Sequence, residues 1–546
     1  MDEETIFWAE QISRKIIERR KFRFTEKPLP EIKNPSIKSS SSLSGVLHIG
    51  RLSDIIRGEA VYRALRETGR KAQFIYVTED MDPLRKVPAG IPEKFNEYIG
   101  MPVSDVPDPE GCHESYGVHF KEKFLRTFVD FLTFEPTVYS MRDEYKKGNF
   151  TECAIALVKH TKEVKAIIDQ FKENPSPEDW SPWKPICDRC GKIQTTVITG
   201  MSGKRIEYVC RDYEFEKTIA KGCGHEGTSD LGKANGKLVW KSEWAAQWKR
   251  WNVVCEGAGK EYNAPNSAWF VNAEICERIL GFPMPEPIFY EHLLIDGTKM
   301  SASVGNVVYP HEWLEVARPE SLKLLYMKKL AKTRSFSWKD LPLLETELDK
   351  AAAANAAPKP NEGAETPSRE DIQLLNLYRY SAVKGRAVLP VPVDYSTMAS
   401  LAGLIPDDKS LIERLSDMGI ISAKISKPEK EALSERISHA RSWVEKYAPE
   451  LKLKFAATYV ADGLPKEIRD CFLAISNGLK SSKSVDEIQQ LVFDTAKSAN
   501  VKPKELFNAL YRVVLAKETG PKFGSLVFVF GKDVVSKRLQ EAGMRG

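Results

Sequence analysis

Apolar and polar positions follow two rhythms along the first part of this chain. Ile6, Ala9, Ile12, Ile16 and Ile17 recur at helical spacing, which predicts an amphipathic helix over 5–21. The same spacing returns from His48 to Glu67 in Leu52, Ile55, Ile56, Ala60, Val61 and Leu65, with Gly69 as the stop. Ala72-Gln73-Phe74-Ile75-Tyr76-Val77 is instead a short apolar run bounded by charge, the pattern of a buried strand. A turn, a helix and a buried strand in that order predict a βαβ unit and hence a parallel sheet. Pro287-Ile288-Phe289-Tyr290 begins a last strand, after periodic apolar residues at Ile275, Ile279 and Leu280.

Elsewhere the rhythm breaks. Residues 180–228 are short-patterned, turn-rich and carry four cysteines, and look like an insertion. The run from Lys350 through Ser368 is rich in Ala, Pro and Glu without an amphipathic repeat, and predicts a surface linker. After it the pattern is helical, as in Ile372–Leu377, Glu429–Tyr447 and Ser484–Ala499. The expected architecture is a Rossmann-type catalytic domain over 1–345, with insertions at about 95–125 and 180–228. A linker over 346–370 and an all-helical domain over 371–546 follow.

Composition narrows the class. A chain of 546 residues is too long for one core. No apolar run of about 18 residues appears, so no membrane span is expected. The acidic start Met1-Asp2-Glu3-Glu4-Thr5 lacks a secretory pattern, and a cytoplasmic protein is expected. A net charge of +5 permits a polyanionic partner without demanding one. Of nine cysteines, Cys187, Cys190, Cys210 and Cys223 crowd one segment, which in an intracellular chain favours metal ligands over disulfides.

Two short runs carry chemistry. In Gly45-Val46-Leu47-His48-Ile49-Gly50, the glycines allow a tight turn that delivers His48 to the start of a helix. A helix start directs N–H groups and the positive end of its dipole toward phosphate. Far downstream, Lys299-Met300-Ser301-Ala302-Ser303 is a small-residue loop with one cation and two hydroxyls, followed by Gly305. Lysine suits charge that builds on a departing pyrophosphate. Together the runs describe a site that grips the triphosphate of ATP from two sides.

Metal ligands can be read from spacing. Cys187-x2-Cys190 is a zinc half-site, and Cys210 and Cys223 can complete it, with His225 in reserve. The second half holds twelve residues between its cysteines instead of two. Asp108, Cys112, His113 and His119 form a second cluster whose oxygen, sulfur and nitrogens suit zinc, although a polar loop accounts for it equally. For a basic amino-acid substrate, Glu79, Asp80, Asp82 and Glu243 are candidate partners, each of which could instead be a surface acid.

The His48 and Lys299 runs resemble the two signature motifs of class I aminoacyl-tRNA synthetases. Asp80–Pro88, Pro107–Tyr116, Cys187–Lys192, Gly236–Trp240, Glu256–Lys260 and Gly520–Gly524 resemble the class I lysyl-tRNA synthetase family of archaea and some bacteria. The resemblance implies lysine activation as lysyl-adenylate and transfer to tRNA(Lys), with a helical anticodon-binding domain. It implies catalytic roles at His48, Lys299, Ser301 and Ser303, and ATP contacts at Gly45, Gly50 and Met300. It places amino-acid contacts at Ser40, Ser42, Trp240 and Tyr262, with Asp80 beside them. Zinc at the second cluster beside the four-cysteine site, Mg2+ with the nucleotide, and ATP, lysine and tRNA(Lys) as partners are implied; a monomer with no membrane partner is the expectation, although the sequence does not reveal oligomeric state.

The chain departs from the family at the pocket. The family usually has Gly and Thr where Ser40 and Ser42 stand, Pro at Leu43, Asn at Arg51 and Asp-His at Glu261-Tyr262. Two rival expectations follow: an adenylating enzyme for another amino acid, or a catalytically silent paralogue that only binds tRNA.

Overall fold

The computed structural model describes residues 6–43, 48–88, 90–170, 172–233, 235–301, 305–357, 368–385, 389–405, 407–422, 425–452, 454–457 and 463–544. These form two compact units. The first centres on a five-stranded, all-parallel sheet: β1 (Ser36–Ser41), β2 (Gln73–Thr78), β3 (Thr137–Ser140), β4 (Val253–Gly259) and β5 (Glu286–Tyr290). Spatial order is β5-β4-β1-β2-β3. The helix Ile49–Glu67 makes the expected crossover between β1 and β2, whose register pairs Ser40 with Val77. Its face is buried almost all round, with Leu52, Ile55 and Ile56 at 0% exposure. β1 and β4 run side by side although far apart in sequence, with Ile37 opposite Cys255. That reversal of strand order is a switch point, where α/β sheets open a crevice at the carboxyl ends of the strands.

Between β2 and β3 the chain adds the helix Tyr116–Phe128, and between β3 and β4 the helices Thr151–Lys159, Thr161–Asp169 and Trp240–Arg250. It also adds a small antiparallel sheet of Thr196–Ser202, Arg205–Cys210 and Glu226–Asp230. Trp244, Trp248 and Trp269 lie in one buried aromatic cluster beneath β4.

The second unit is helical. Lys466–Leu479 packs on Lys532–Met544, and Phe472, Leu510 and Leu526 are among its fully buried residues. Its bounds differ from the expected ones: it contains Glu312–Ser321 and Ser337–Gly363 as well as Val388–Gly546. The first part of the expected linker, 346–356, is instead the end of the helix Leu341–Ala356. Leu344, Leu348, Ala351 and Ala352 share one buried face, but the small side chains of the last two hide the stripe in sequence. Glu345 and Asp349 on this helix pair with Arg318 and Arg436. Residues 358–367 of the expected linker lie outside the described residues. The helix Arg369–Ser381 belongs to the first unit, not the helical domain: Tyr380 stacks on Phe7 at 4.8 Å and Arg379 pairs with Glu10 at 3.0 Å. Among the described residues, no helix is long and apolar enough to cross a membrane.

A candidate nucleotide and amino-acid pocket

At the switch point lies a cavity of about 720 Å3. Its walls bring together Ser40, Ser42, His48, Gly50, Trp240, Tyr262, Lys299 and Met300, eight of the residues that the sequence singled out. Gly45 and Ser303 lie outside the described residues. Ser301 is not on the cavity wall; its backbone N–H donates to Asn306 Oδ1 at 2.9 Å, which ties the loop to itself.

His48 is the N-cap of the helix Ile49–Glu67. Its Nδ1 accepts from the Gly50 N–H at 3.1 Å. Burial and the neighbouring Arg51 charge push its pKa down to about 4, so the ring is neutral near pH 7. A neutral imidazole that accepts at Nδ1 carries its proton on Nε2, which is left to donate. Gly50 is needed here: a Cβ would stand 2.8 Å from the His48 ring and from Met300 Cε. Lys299 closes a two-residue strand pair with Leu294 and faces the same cavity.

The floor is made of buried ionisable groups. Lys38 of β1 is fully buried, and its Nζ lies 2.6 Å from Glu256 Oε1 and 3.2 Å from Ser40 Oγ. The other Glu256 oxygen accepts from the indole N–H groups of Trp244 (2.9 Å) and Trp248 (2.6 Å). Lys237 lies 2.7 Å from Glu243 and 3.3 Å from Asp82, and the Ser42 hydroxyl donates to Asp82 at 2.5 Å. Two carboxyls have capacity left over. Among the described residues, the Glu79 carboxyl receives only the Gln247 amide, at 3.1 and 3.2 Å, and burial pushes its pKa up to about 8. Asp54 accepts from Ser39 through one oxygen; its other oxygen is buried without a partner, and burial raises its pKa to about 7. Gly257 makes room for it, since a Cβ there would meet Asp54 Oδ1 at 1.8 Å.

Trp240 stacks on Trp244 at 4.7 Å, and Tyr262 meets Trp244 edge-on at 5.4 Å, so the altered Tyr262 is part of an aromatic wall. Glu261 pairs with His292 at 2.9 Å across the cavity wall. Asp80 is a correction. Its carboxylate is taken up by the Ser140 hydroxyl (2.5 Å), the Arg142 N–H (2.9 Å) and Thr78, and it stays off the cavity wall. As neighbours in the loop after β2, Glu79, Asp80 and Asp82 look alike in sequence; only Glu79 and Asp82 reach the cavity.

Both predicted metal clusters assemble. Cys187 Sγ lies 3.6 Å from Cys223 Sγ, and Cys190 Sγ lies 3.7 Å from Cys210 Sγ. All four sulfurs fall within 4.8 Å of one another. A tetrahedral ion with bonds of about 2.3 Å would set its sulfurs roughly 3.8 Å apart, so the thiols fit zinc. In the second cluster, Asp108, Cys112, His113 and His119 also converge within 4.8 Å. His119 Nδ1 sits 3.1 Å from Asp108 Oδ1 and 3.4 Å from Cys112 Sγ. The outer ring nitrogens face carboxylates, His113 Nε2 at 3.3 Å from Glu122 and His119 Nε2 at 3.4 Å from Glu110. Metal-bound histidines are usually oriented in this way.

Lys38, Asp54 and Glu256 were not among the residues singled out from sequence. A usable signal existed for two of them: a Lys and a Glu inside otherwise uncharged strands of a buried parallel sheet must be paired. Asp54 left none, because it reads as an ordinary polar position of an amphipathic helix.

Fold and site together define an α/β protein with a cavity at its switch point, entered by a helix N-terminus on one side and a lysine loop on the other. The sequence profile of the family described as "tRNA synthetases class I (K)" matches residues 6–381. The chain is 30% identical to the lysine–tRNA ligase of Methanocaldococcus jannaschii, over 97% of this chain and 99% of that one. It is 30% identical to that of Pyrococcus horikoshii, over 98% and 100%. For the lysine–tRNA ligase of Methanosphaera stadtmanae the identity is 29%, over 98% and 99%. The chain belongs to the class I (K) tRNA synthetase family.

Proposed function

We propose that this protein activates lysine with ATP and charges tRNA(Lys). The observation that carries the reading is the meeting of His48 and Lys299 on one cavity whose floor holds carboxyls with unmet capacity. The lysine carboxylate attacks the α-phosphorus, the bond to the β-phosphate oxygen breaks, and pyrophosphate leaves with the electron pair. His48 donates from Nε2 to a phosphoryl oxygen, and Lys299 follows the charge that accumulates on the leaving group. Gly50 and Met300 flank the nucleotide, whose phosphates Mg2+ would help to neutralise. The terminal ribose hydroxyl of the tRNA then attacks the adenylate carbonyl and releases AMP.

Asp54 and Glu79 are the side chains suited to a substrate ammonium. Each is a buried carboxyl pushed toward its neutral form, and a cation restores the charged form. Ser40, Ser42, Trp240 and Tyr262 shape the same end of the cavity. A structural zinc at Cys187, Cys190, Cys210 and Cys223 and another at Asp108, Cys112, His113 and His119 would fix the two insertions. The helical unit would bind the anticodon, and the protein would work in the cytoplasm.

A second reading, another amino-acid substrate, is favoured by Lys38, a buried cation 3.2 Å from Ser40 in the cavity wall. Amino-acid-dependent exchange of pyrophosphate into ATP, run across the standard amino acids, separates the readings. Lysine is expected to give the highest exchange. A different amino acid would support the second reading, and no exchange with intact tRNA binding would support a silent paralogue.

A further inference from the structure

The Lys299 loop carries one cation: no other Lys or Arg occurs between Gly297 and Asn306. Pyrophosphate departs with several negative charges, and beside Mg2+ the loop meets them with a single mobile ammonium. The cavity wall supplies a candidate, Arg51. It stands in the first turn of the helix Ile49–Glu67, three residues after the N-cap His48, where no acidic residue offsets it. A cation there opposes the helix dipole. It also depresses the neighbouring His48 pKa. Among the described residues, the Arg51 side chain makes no hydrogen bond or ion pair, and it is exposed. An unpaired arginine at the wrong end of a helix, beside a ring kept neutral, is unfavourable in the free protein. An anion in the cavity reverses each of those costs: it meets the guanidinium, the helix N–H groups and the His48 Nε2–H together.

We infer that Arg51 is a further catalytic residue of the adenylation step, pairing with the β- and γ-phosphates of ATP as the second cation that the Lys299 loop lacks. The inference rests on the ATP reading above. When the bond between the α-phosphorus and its bridging oxygen breaks, the electron pair stays on pyrophosphate. Arg51 and Lys299, which line the same cavity, then hold that charge together, and no proton changes place.

The test uses the full-length protein, with calorimetric binding of AMP and of the non-hydrolysable analogue α,β-methylene-ATP. Arg51→Gln is expected to weaken the analogue about 10- to 100-fold, the loss of one charge-assisted contact, and to change AMP affinity less than about twofold. Arg51→Lys should recover part of the loss. In pyrophosphate exchange the same variant should raise the KM for ATP and for pyrophosphate while leaving that for the amino acid. An unchanged ratio of analogue to AMP affinity would overturn the assignment. So would a loss confined to the amino-acid KM, which would make Arg51 a partner of the substrate carboxylate. If the unaltered protein bound neither nucleotide, the ATP reading itself would fall, and the inference with it. Because the residue is exposed and opposes the helix dipole, thermal unfolding of Arg51→Gln should occur at or slightly above the temperature of the parent, which separates lost binding from lost fold.

Discussion

The two walls of the cavity are built on opposite principles. On the nucleotide side, His48, Arg51 and Lys299 sit on a helix start and a small-residue loop, and none is locked in an ion pair with a carboxylate among the described residues. On and behind the floor, Lys38 pairs with Glu256 and Lys237 with Glu243, all buried, and Lys237 also meets the half-buried Asp82. Charge that must follow a moving phosphate is left loose, whereas charge that defines a binding site is fixed by burial. The difference teaches where variation should cost rate and where it should cost fold.

The sharpest way to break the comparison is to remove half of a floor pair. Lys38→Met leaves Glu256 buried with two indole donors and no cation, and should lower stability by about 3–5 kcal/mol in denaturant titration. Lys299→Ala, on the other wall, should lower the rate of pyrophosphate exchange by about 10²- to 10³-fold while leaving the unfolding curve unchanged. A loss of stability there would erase the distinction between the walls.

Asp54→Asn tests the floor as a recogniser of charge, with an expected rise of about tenfold in lysine KM. Its pKa is raised to about 7, so the carboxyl is increasingly neutral below that pH and must release a proton to meet an ammonium. Lysine KM should therefore rise as pH falls below 7, with proton release on binding detectable by calorimetry in buffers of different ionisation enthalpy. Asp54→Asn should reduce both effects, leaving the part owed to Glu79, whose pKa is about 8.

The smallest effect is expected at His48. Its folded pKa of about 4 lies below the ordinary 6.5, so in that window the unfolded chain binds a proton that the folded one refuses. Stability should therefore fall as pH is lowered from 6.5 to 4, and His48→Gln should flatten that slope.

The nucleotide wall was largely legible in sequence, and the floor was not. His48 and Lys299 stand among glycines and small residues, where a local pattern announces a turn or a loop. The floor is assembled by the sheet. Lys38 and Glu256 meet because β1 and β4 are neighbours at the switch point, a juxtaposition that spans 218 positions and has no local trace. Asp80 was misread for the same reason: only the packing of Ser140 and Arg142 against it shows that its oxygens are already used. The βαβ unit, the strands near Gln73 and Glu286, and the four-cysteine cluster could be read from periodicity and spacing, whereas the Asp108 cluster took the family resemblance. The unit boundary could not, because Ala351 and Ala352 bury a helix face without an apolar signature.

The central claim is that loose cations and a fixed acidic floor serve one adenylation of lysine. Amino-acid-dependent exchange of labelled pyrophosphate into ATP tests it most directly. Exchange driven by lysine above the other standard amino acids, and lost in Lys299→Ala, is the predicted result. Exchange driven by another amino acid, or none with any, would contradict it.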